Sequence, residues 1–364
     1  MALEYKHYGW ECSPYSSKTR SYFRYKNIPF KDIHPNAIQI KWVMERRVGF
    51  TSMPTVIAPH GDVLQDSSEI IDTLEKIFTK RSVHPETPKQ HLVSYIFELF
   101  ADEWLPIISM CTRWRNPVNK AFAFEEFGHC ALPFLPKLIT RPLGKKIGAK
   151  MYSYLPVLGI TDHSAPEIEK WTDELLQQLN IHFSQYPFLL GTKPCLGDFG
   201  LYGPLYALVW RDPGSRRLIE EQPYLYAWLQ RLMQPQQLQG AFIEKDRIPK
   251  TLWPILIRIF KEQWPVLNQS AHAVAAWIKE NPLATKFPRS LGKVQFQLGN
   301  TTEERTLTTF PVWMLQRLLD YYQSLNETNA MSVNNFLRDI GGHQALQLTL
   351  NFRLKRDNFR ISVA

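Results

Sequence analysis

Three short groups of residues near the start of the chain have types and spacings that could do chemistry. Ser13 stands directly before Pro14, the pairing that starts a helix with a serine cap and a proline at the first helical position. A hydroxyl there sits beside free N–H groups and the positive end of a helix dipole, a setting that stabilises a thiolate. Met53-Pro54 opens a β-rich run, Thr55 to Ala58. An X-Pro bond takes the cis form at modest cost, and a cis bond here would turn the N–H and C=O of Met53 outward, where an extended peptide pairs as an added strand. Asp66-Ser67 precedes an amphipathic helix whose first N–H groups and dipole favour a bound carboxylate. Two rivals to Ser13 stand close by: Cys12, which would bring thiol–disulfide chemistry, and the phenol of Tyr8. Each group also has a plain reading as a turn or a helix cap.

The elements that must position these residues follow from local pattern. Leu3 to Tyr8 alternates as a first strand, Gly9-Trp10-Glu11 breaks it, and the helix capped by Ser13 buries Tyr15, Tyr22 and Phe23. Lys26 to Pro29 supplies turn residues and Phe30 to His34 a second strand. After Met53-Pro54, Thr55–Ala58 and Val63-Leu64 are two strands around the turn Pro59-His60-Gly61-Asp62. The order β-α-β-α-β-β-α is that of a thioredoxin-like fold.

The stretch Phe50 to Glu75 resembles the second half of the thioredoxin-like domain of glutathione transferases, and Ser13-Pro14-Tyr15-Ser16-Ser17-Lys18-Thr19-Arg20 resembles the SPxS-x-K-x-R stretch of the serine-type members. The resemblance implies that Met53, before the cis Pro54, pairs with the cysteinyl backbone of glutathione. It implies that Asp66 and Ser67 hold the γ-glutamyl end and that Ser13 activates the thiol. Lys41, in the basic run Ile40 to Arg47, is the first candidate for the glycyl carboxylate.

Composition narrows the class. A chain of 364 residues, 44% hydrophobic, has ample core for two or three domains. No apolar run reaches the length of a membrane span and the N-terminus lacks a signal-peptide pattern, so a cytoplasmic protein is expected. Cys12, Cys111, Cys130 and Cys195 are scattered without metal-ligand or disulfide spacing, so no metal is expected. The net charge of +9 is dispersed, which argues against nucleic acid. The segment Arg141 to Lys150 mixes four cations with apolar residues, reading either as a solvated helix face or as a contact for an acidic surface or anionic lipid. Neither a phosphate loop nor a hydrolase-type carboxylate pair is evident.

Further along, Arg81 to Pro88 reads as a linker, Leu92 to Trp114 and Trp171 to Phe183 as helices, and Cys195 to Asp198 as a capping box with cysteine in the first place. Phe100 to Arg115, with its DEWL run, and the run from Gly203 through Trp228 to Met233, with its YxxxxRDP-type stretch, resemble a bacterial transferase-like group that carries a C-terminal extension. Expected domains are therefore 1–80, an α/β thioredoxin-like glutathione-binding unit; 89–235, an all-α domain; and 251–364, a mixed α/β appendage of unassigned role. In that appendage Leu252–Trp264, Ser270–Glu280, Val312–Leu325 and Val333–Ile340 read as helices, and Lys293–Thr309 and Gln347–Val363 as strand pairs. Its tryptophans, Trp253, Trp264, Trp277 and Trp313, suit a cleft cover, a subunit interface or plain core. The function expected is activation of the glutathione thiol for attack on a small hydrophobic electrophile. Tyr15, Trp104 and Trp114 are candidate pocket walls, and a homodimer is the candidate assembly. Asp102, Glu103 and Arg113 read either as cleft groups or as buried ion pairs. A non-catalytic binding module and a Cys12-based thiol oxidoreductase are the alternatives.

Overall fold

The computed structural model describes residues 4–235, 239–284 and 286–364; Leu3 of the expected first strand and 236–238 of the second connector lie outside them. The chain begins β1 (Tyr5–Tyr8), α1 (Pro14–Lys26), β2 (Phe30–Ile33), then α2 (Ala37–Gln39) and α3 (Glu45–Val48) joined by a π-helical turn Ile40–Met44. It continues β3 (Thr55–Ile57), β4 (Val63–Gln65) and α4 (Ser67–Ile77). The strands form one sheet in the order β2-β1-β3-β4, with β1 and β2 parallel and the other pairs antiparallel. This is the expected thioredoxin-like order.

Register gathers the sequence's chemical groups. Tyr8 lies opposite Thr55, and Thr55 opposite Gln65. The loop into α1, the Met53-Pro54 bond and the Asp66 cap therefore all leave the sheet from one edge. Helix α1 starts because the Ser13 hydroxyl accepts the Ser16 N–H at 3.3 Å, and it stops at Asn27, whose left-handed φ of 54° suits its short polar side chain.

The helical bulk follows as α5 (Pro88–Glu103), α6 (Pro106–Arg115), α7 (Pro117–Ala131), α8 (Lys137–Tyr152), α9 (Ala165–Phe183), α10 (Leu196–Pro204), α11 (Arg216–Glu220) and α12 (Pro223–Met233). The expected single helix over Leu92 to Trp114 is two. Pro106 lacks the N–H that would continue the ladder, and the chain turns at Trp104-Leu105. In α10, Asp198 reaches back to the Cys195 N–H at 2.9 Å and also accepts from Leu189 N–H and Trp228 Nε1. Burial pushes its carboxyl up to about 6 against those three donors.

The second connector is not slack: Asp246 accepts the N–H groups of Lys89 and Gln90, both at 3.0 Å, and so caps α5. Beyond it come α13 (Trp253–Arg258) and α14 (Trp264–Glu280), joined without a break by a π-helical turn Ile259–Gln263. Two separate helices were expected. The wider turn absorbs Pro265, and the polar Asn268-Gln269 stays helical. The hairpin β5 (Lys293–Leu298) and β6 (Thr301–Thr306) forms around Gly299-Asn300 as expected. The helices α15 (Phe310–Gln323) and α16 (Glu327–Asp339) lead to a short hairpin, β7 (Leu354–Asp357) and β8 (Arg360–Val363). Trp264 and Trp313 are core residues, while Trp253 and Trp277 are partly exposed.

Candidate functional site

A cavity of about 730 Å3 opens at the sheet edge where these groups collect. One wall is Met53, Pro54, Gln65, Asp66 and Ser67; Tyr15 and Glu103 close its base. The Met53-Pro54 bond is cis. Among the described residues neither the N–H nor the C=O of Met53 has a hydrogen-bond partner, so an exposed backbone edge faces incoming chain. Asp66 holds a left-handed backbone, φ 79°, rare for a residue with a side chain. That conformation lets its carboxylate take the N–H groups of Ser68 and Glu69, at 2.9 and 3.2 Å. The N–H and hydroxyl of Ser67 keep no partner among the described residues, so both are available to an anion at the N-terminus of α4.

The opposite wall comes from the C-terminal third: Phe287, Arg289, Thr308, Phe310, Arg356 and Phe359. Arg356, its side chain 5% exposed, pairs with Glu69 Oε2 at 3.0 Å and Asp66 Oδ2 at 3.8 Å, and donates to Gln65 Oε1. It therefore ties the last hairpin to the β4–α4 junction. Beneath the cavity lies an ion network spanning all parts of the chain. Lys18 of α1 reaches Glu98 Oε1 at 2.7 Å and Asp102 Oδ2 at 2.6 Å, and Ser68 Oγ at 3.2 Å. Arg317 of α15 reaches Glu98 Oε2 at 2.8 Å and Asp72 Oδ2 at 2.7 Å. Burial pushes the Glu98 carboxyl up, but Arg317 and Lys18 outweigh it and hold the group down. Burial and the neighbouring Glu98 charge raise Asp102 against the pull of Lys18.

The expected site residues divide cleanly. Met53, Pro54, Asp66, Ser67 and Tyr15 meet at the cavity. Burial pushes the Tyr15 phenol well up, and its hydroxyl donates to the Asp102 carbonyl at 3.1 Å, which favours a neutral donor over a phenolate. Ser13 caps α1 but lies outside the residues that line the cavity. Lys41 is exposed on the π-helical turn and does not line it either.

Trp104 and Trp114 are core residues rather than pocket walls. Trp104 packs edge-on against Phe296 under the Arg305 guanidinium, and Trp114 packs against Phe124, Phe127 and Tyr152. Tyr8 sits on the sheet face with Met44 and Ile57, opposite the α1 face that His7 occupies through Thr19. Burial raises its phenol, the wrong direction for an activator. Cys12 is buried against Cys130 of α7; that contact comes first in lowering its thiol pKa, opposed by burial, with the nearby Arg113 and Arg211 charges helping. It does not line the cavity.

Of the cleft groups, Asp102 pairs with Lys18 and Arg113 with Asp212 at 2.7 Å, as structural ion pairs. Glu103 is different. It lines the cavity, and burial, reinforced by the charges of Asp102 and Asp66, pushes its carboxyl well up. The sequence reading missed Arg356 altogether. Its signal was strand alternation, since Arg356 shares a face of β7 with the buried Leu354. Among the described residues, Glu11, Asp32 and His34 could share an ion, their ligand atoms lying within 4.8 Å of one another. Arg20 already pairs with both carboxylates, at 3.4 and 2.6 Å.

Residues 8–82 match the family model of the glutathione S-transferase N-terminal domain. None of the curated proteins matches the chain significantly. Solved structures with a similar course include a GST-like protein from Pseudomonas syringae, 15% identical with a TM-score of 0.42, over 63% of this chain and 66% of that one. Another is the beta-etherase LigF from Sphingobium sp. strain SYK-6, 17% identical with a TM-score of 0.45, over 63% of this chain and 94% of that one. A third is a glutathione S-transferase from Methylobacterium radiotolerans in complex with glutathione sulfonate, 17% identical with a TM-score of 0.34, over 68% of this chain and all of that one. Residues 8–82 therefore form a domain of the glutathione S-transferase N-terminal type.

Proposed function

We propose that the protein binds glutathione in the cavity and activates its thiol for attack on a small apolar electrophile. The observation that carries this reading is the alignment of two unsatisfied sets of backbone groups on one sheet edge. These are the N–H and C=O of Met53 beside cis Pro54, and the Ser67 N–H and hydroxyl at the start of α4. An extended tripeptide pairs with the first and rests its γ-glutamyl carboxylate on the second. Asp66 takes the ammonium of the same residue. The thiol loses its proton to solvent, assisted by the dipole of α1 and the Ser13 hydroxyl. The thiolate sulfur then forms a bond to the electrophilic carbon, whose leaving group departs with its electron pair. Phe287, Phe310 and Phe359 offer the electrophile an apolar wall.

A second reading, a glutathione-binding module without catalysis, is favoured by one observation: the Ser13 hydroxyl is engaged by Ser16 N–H and is not part of the cavity lining. Titration calorimetry with glutathione separates binding from its absence. Asp66→Ala and Ser67→Ala should each weaken binding about tenfold, near 1.4 kcal/mol. Wild-type protein that takes up no glutathione would overturn both readings. Conjugation of 1-chloro-2,4-dinitrobenzene, lost in Ser13→Ala while glutathione affinity is kept, would select the catalytic one.

A further inference from the structure

The α7–α8 hairpin is a rigid unit with an unusual tip. A Cβ on Gly144 would stand 1.8 Å from the Phe124 carbonyl oxygen, and one on Gly128 2.4 Å from that of Thr140, so the helices pack backbone to backbone. Pro133 and Pro136 restrict the loop between them. On that tip four large apolar side chains face water: Phe134 is 88% exposed, Leu138 82%, Ile139 60% and Leu135 41%. Isolated exposed apolar residues are ordinary; a contiguous set marks an interaction surface.

Charge says what the surface meets. Lys137, Arg141, Lys145, Lys146 and Lys150 are all exposed along α8, and among the described residues none of them makes a salt bridge. From 127 to 161 the chain has no Asp or Glu. The spacing of Lys137, Arg141 and Lys145 puts them in one row beside Leu138. A second copy of the chain docked through the same face would bring its own cations towards these with no Asp or Glu of residues 127–161 to balance them, which costs free energy. An anionic bilayer accepts both features at once. Its headgroup phosphates take the cations and its acyl boundary takes the apolar tip. Among the described residues no helix is long and apolar enough to cross a membrane, so the contact is peripheral.

We propose that the α7–α8 tip and the outer face of α8 form a docking surface for an anionic lipid bilayer. Phe134, Leu135, Leu138 and Ile139 enter the interface, and Lys137, Arg141, Lys145, Lys146 and Lys150 pair with headgroups. The inference stands apart from the glutathione reading, because none of these residues lines the cavity.

Sedimentation of the full chain with vesicles of phosphatidylcholine alone, and with about one-third phosphatidylglycerol, tests it. Binding is expected to the mixed vesicles only, and to fall when salt is raised to about 0.5 M, which shortens the Debye length. Phe134→Ser/Leu138→Ser and Lys145→Glu/Lys146→Glu should each weaken it about tenfold. Circular dichroism and thermal unfolding should be unchanged, since the replaced side chains are exposed. Absence of binding to the mixed vesicles, equal binding to both kinds, or binding untouched by either double variant would overturn the proposal. So would a dimer in sedimentation velocity that Phe134→Ser/Leu138→Ser dissolves while wild type ignores both vesicles, which would make the tip a self-association face.

Discussion

The two walls of the cavity are built by different means. On one side, Met53, Pro54, Gln65, Asp66 and Ser67 lie within a short run of chain and are placed by local rules: a strand opening, a tight turn and a helix cap. On the other, Phe287, Arg289, Phe310, Arg356 and Phe359 come from separate stretches of the C-terminal third. They are held by ion pairs such as Arg317 with Asp72, 245 positions apart, and by Arg356 with Gln65, 291 apart. One wall is a local structure within the domain that residues 8–82 form, and the other is fastened to it by charge from the C-terminal third. The C-terminal third thus supplies one wall of the cavity, and its place depends on contacts far apart in the chain.

Breaking the fastening should therefore damage the whole molecule. Among the described residues, Arg317→Met leaves Glu98, 1% exposed, with only Lys18 to balance it and Asp102, and strips Asp72 of its ion-pair partner. A loss of about 3–5 kcal/mol in urea unfolding is expected, as for other broken buried pairs. A loss under about 0.5 kcal/mol, the level of an ordinary surface change, would mean that the C-terminal third merely rests on the rest.

A second fastening sharpens the comparison through pH. His182 is fully buried; its Nε2–H donates to the Phe188 carbonyl at 3.3 Å and its Nδ1 accepts from Thr251 Oγ1 at 2.7 Å, joining α9 to the start of the C-terminal third. Burial lowers its pKa to about 4. Between that value and the unfolded value near 6.5 the unfolded chain binds more protons, so stability falls as pH falls through this window. The decline should be shallower in His182→Gln by on the order of 2 kcal/mol in unfolding profiles from pH 7 to pH 4. Parallel profiles would show that His182 titrates alike in the folded and unfolded chain, and would contradict its lowered pKa.

Smaller effects probe the cavity directly. Arg356→Ala removes the link to Asp66 and Glu69 and should weaken glutathione binding by about 1 kcal/mol in calorimetry. Tyr8→Phe should change neither affinity nor conjugation rate, with stability within about 0.5 kcal/mol, because the phenol belongs to the Met44 and Ile57 cluster. Lost conjugation in Tyr8→Phe would restore the phenol as activator and overturn the placement of Ser13.

What could be read from the sequence follows the same division. The N-terminal strands and helices, cis Pro54 and the Asp66 cap were legible because each depends on neighbours a few residues away. The hairpin at Gly299-Asn300 was legible for the same reason. Trp104 and Trp114 misled because aromatic residues serve pocket and core alike, and only three-dimensional neighbours such as Phe296 and Phe127 distinguish them. Lys18 was visible as a motif position, yet its role as the buried cation between Glu98 and Asp102 depends on residues 80 and 84 positions away. Arg356 escaped because nothing local tells an arginine on the inner face of an edge hairpin which carboxylate it will meet.

In the proposed function, one cavity made by both walls takes one ligand, glutathione. Titration calorimetry of glutathione into wild type, Ser67→Ala, Arg356→Ala and the double variant tests that claim most directly. We expect wild type to bind, each single variant to bind more weakly, and the double-variant cycle to show a coupling above about 0.5 kcal/mol, as for residues sharing a network. Glutathione binding by Arg356→Ala indistinguishable from wild type, with Ser67→Ala impaired, would contradict it by leaving the site to the N-terminal wall alone.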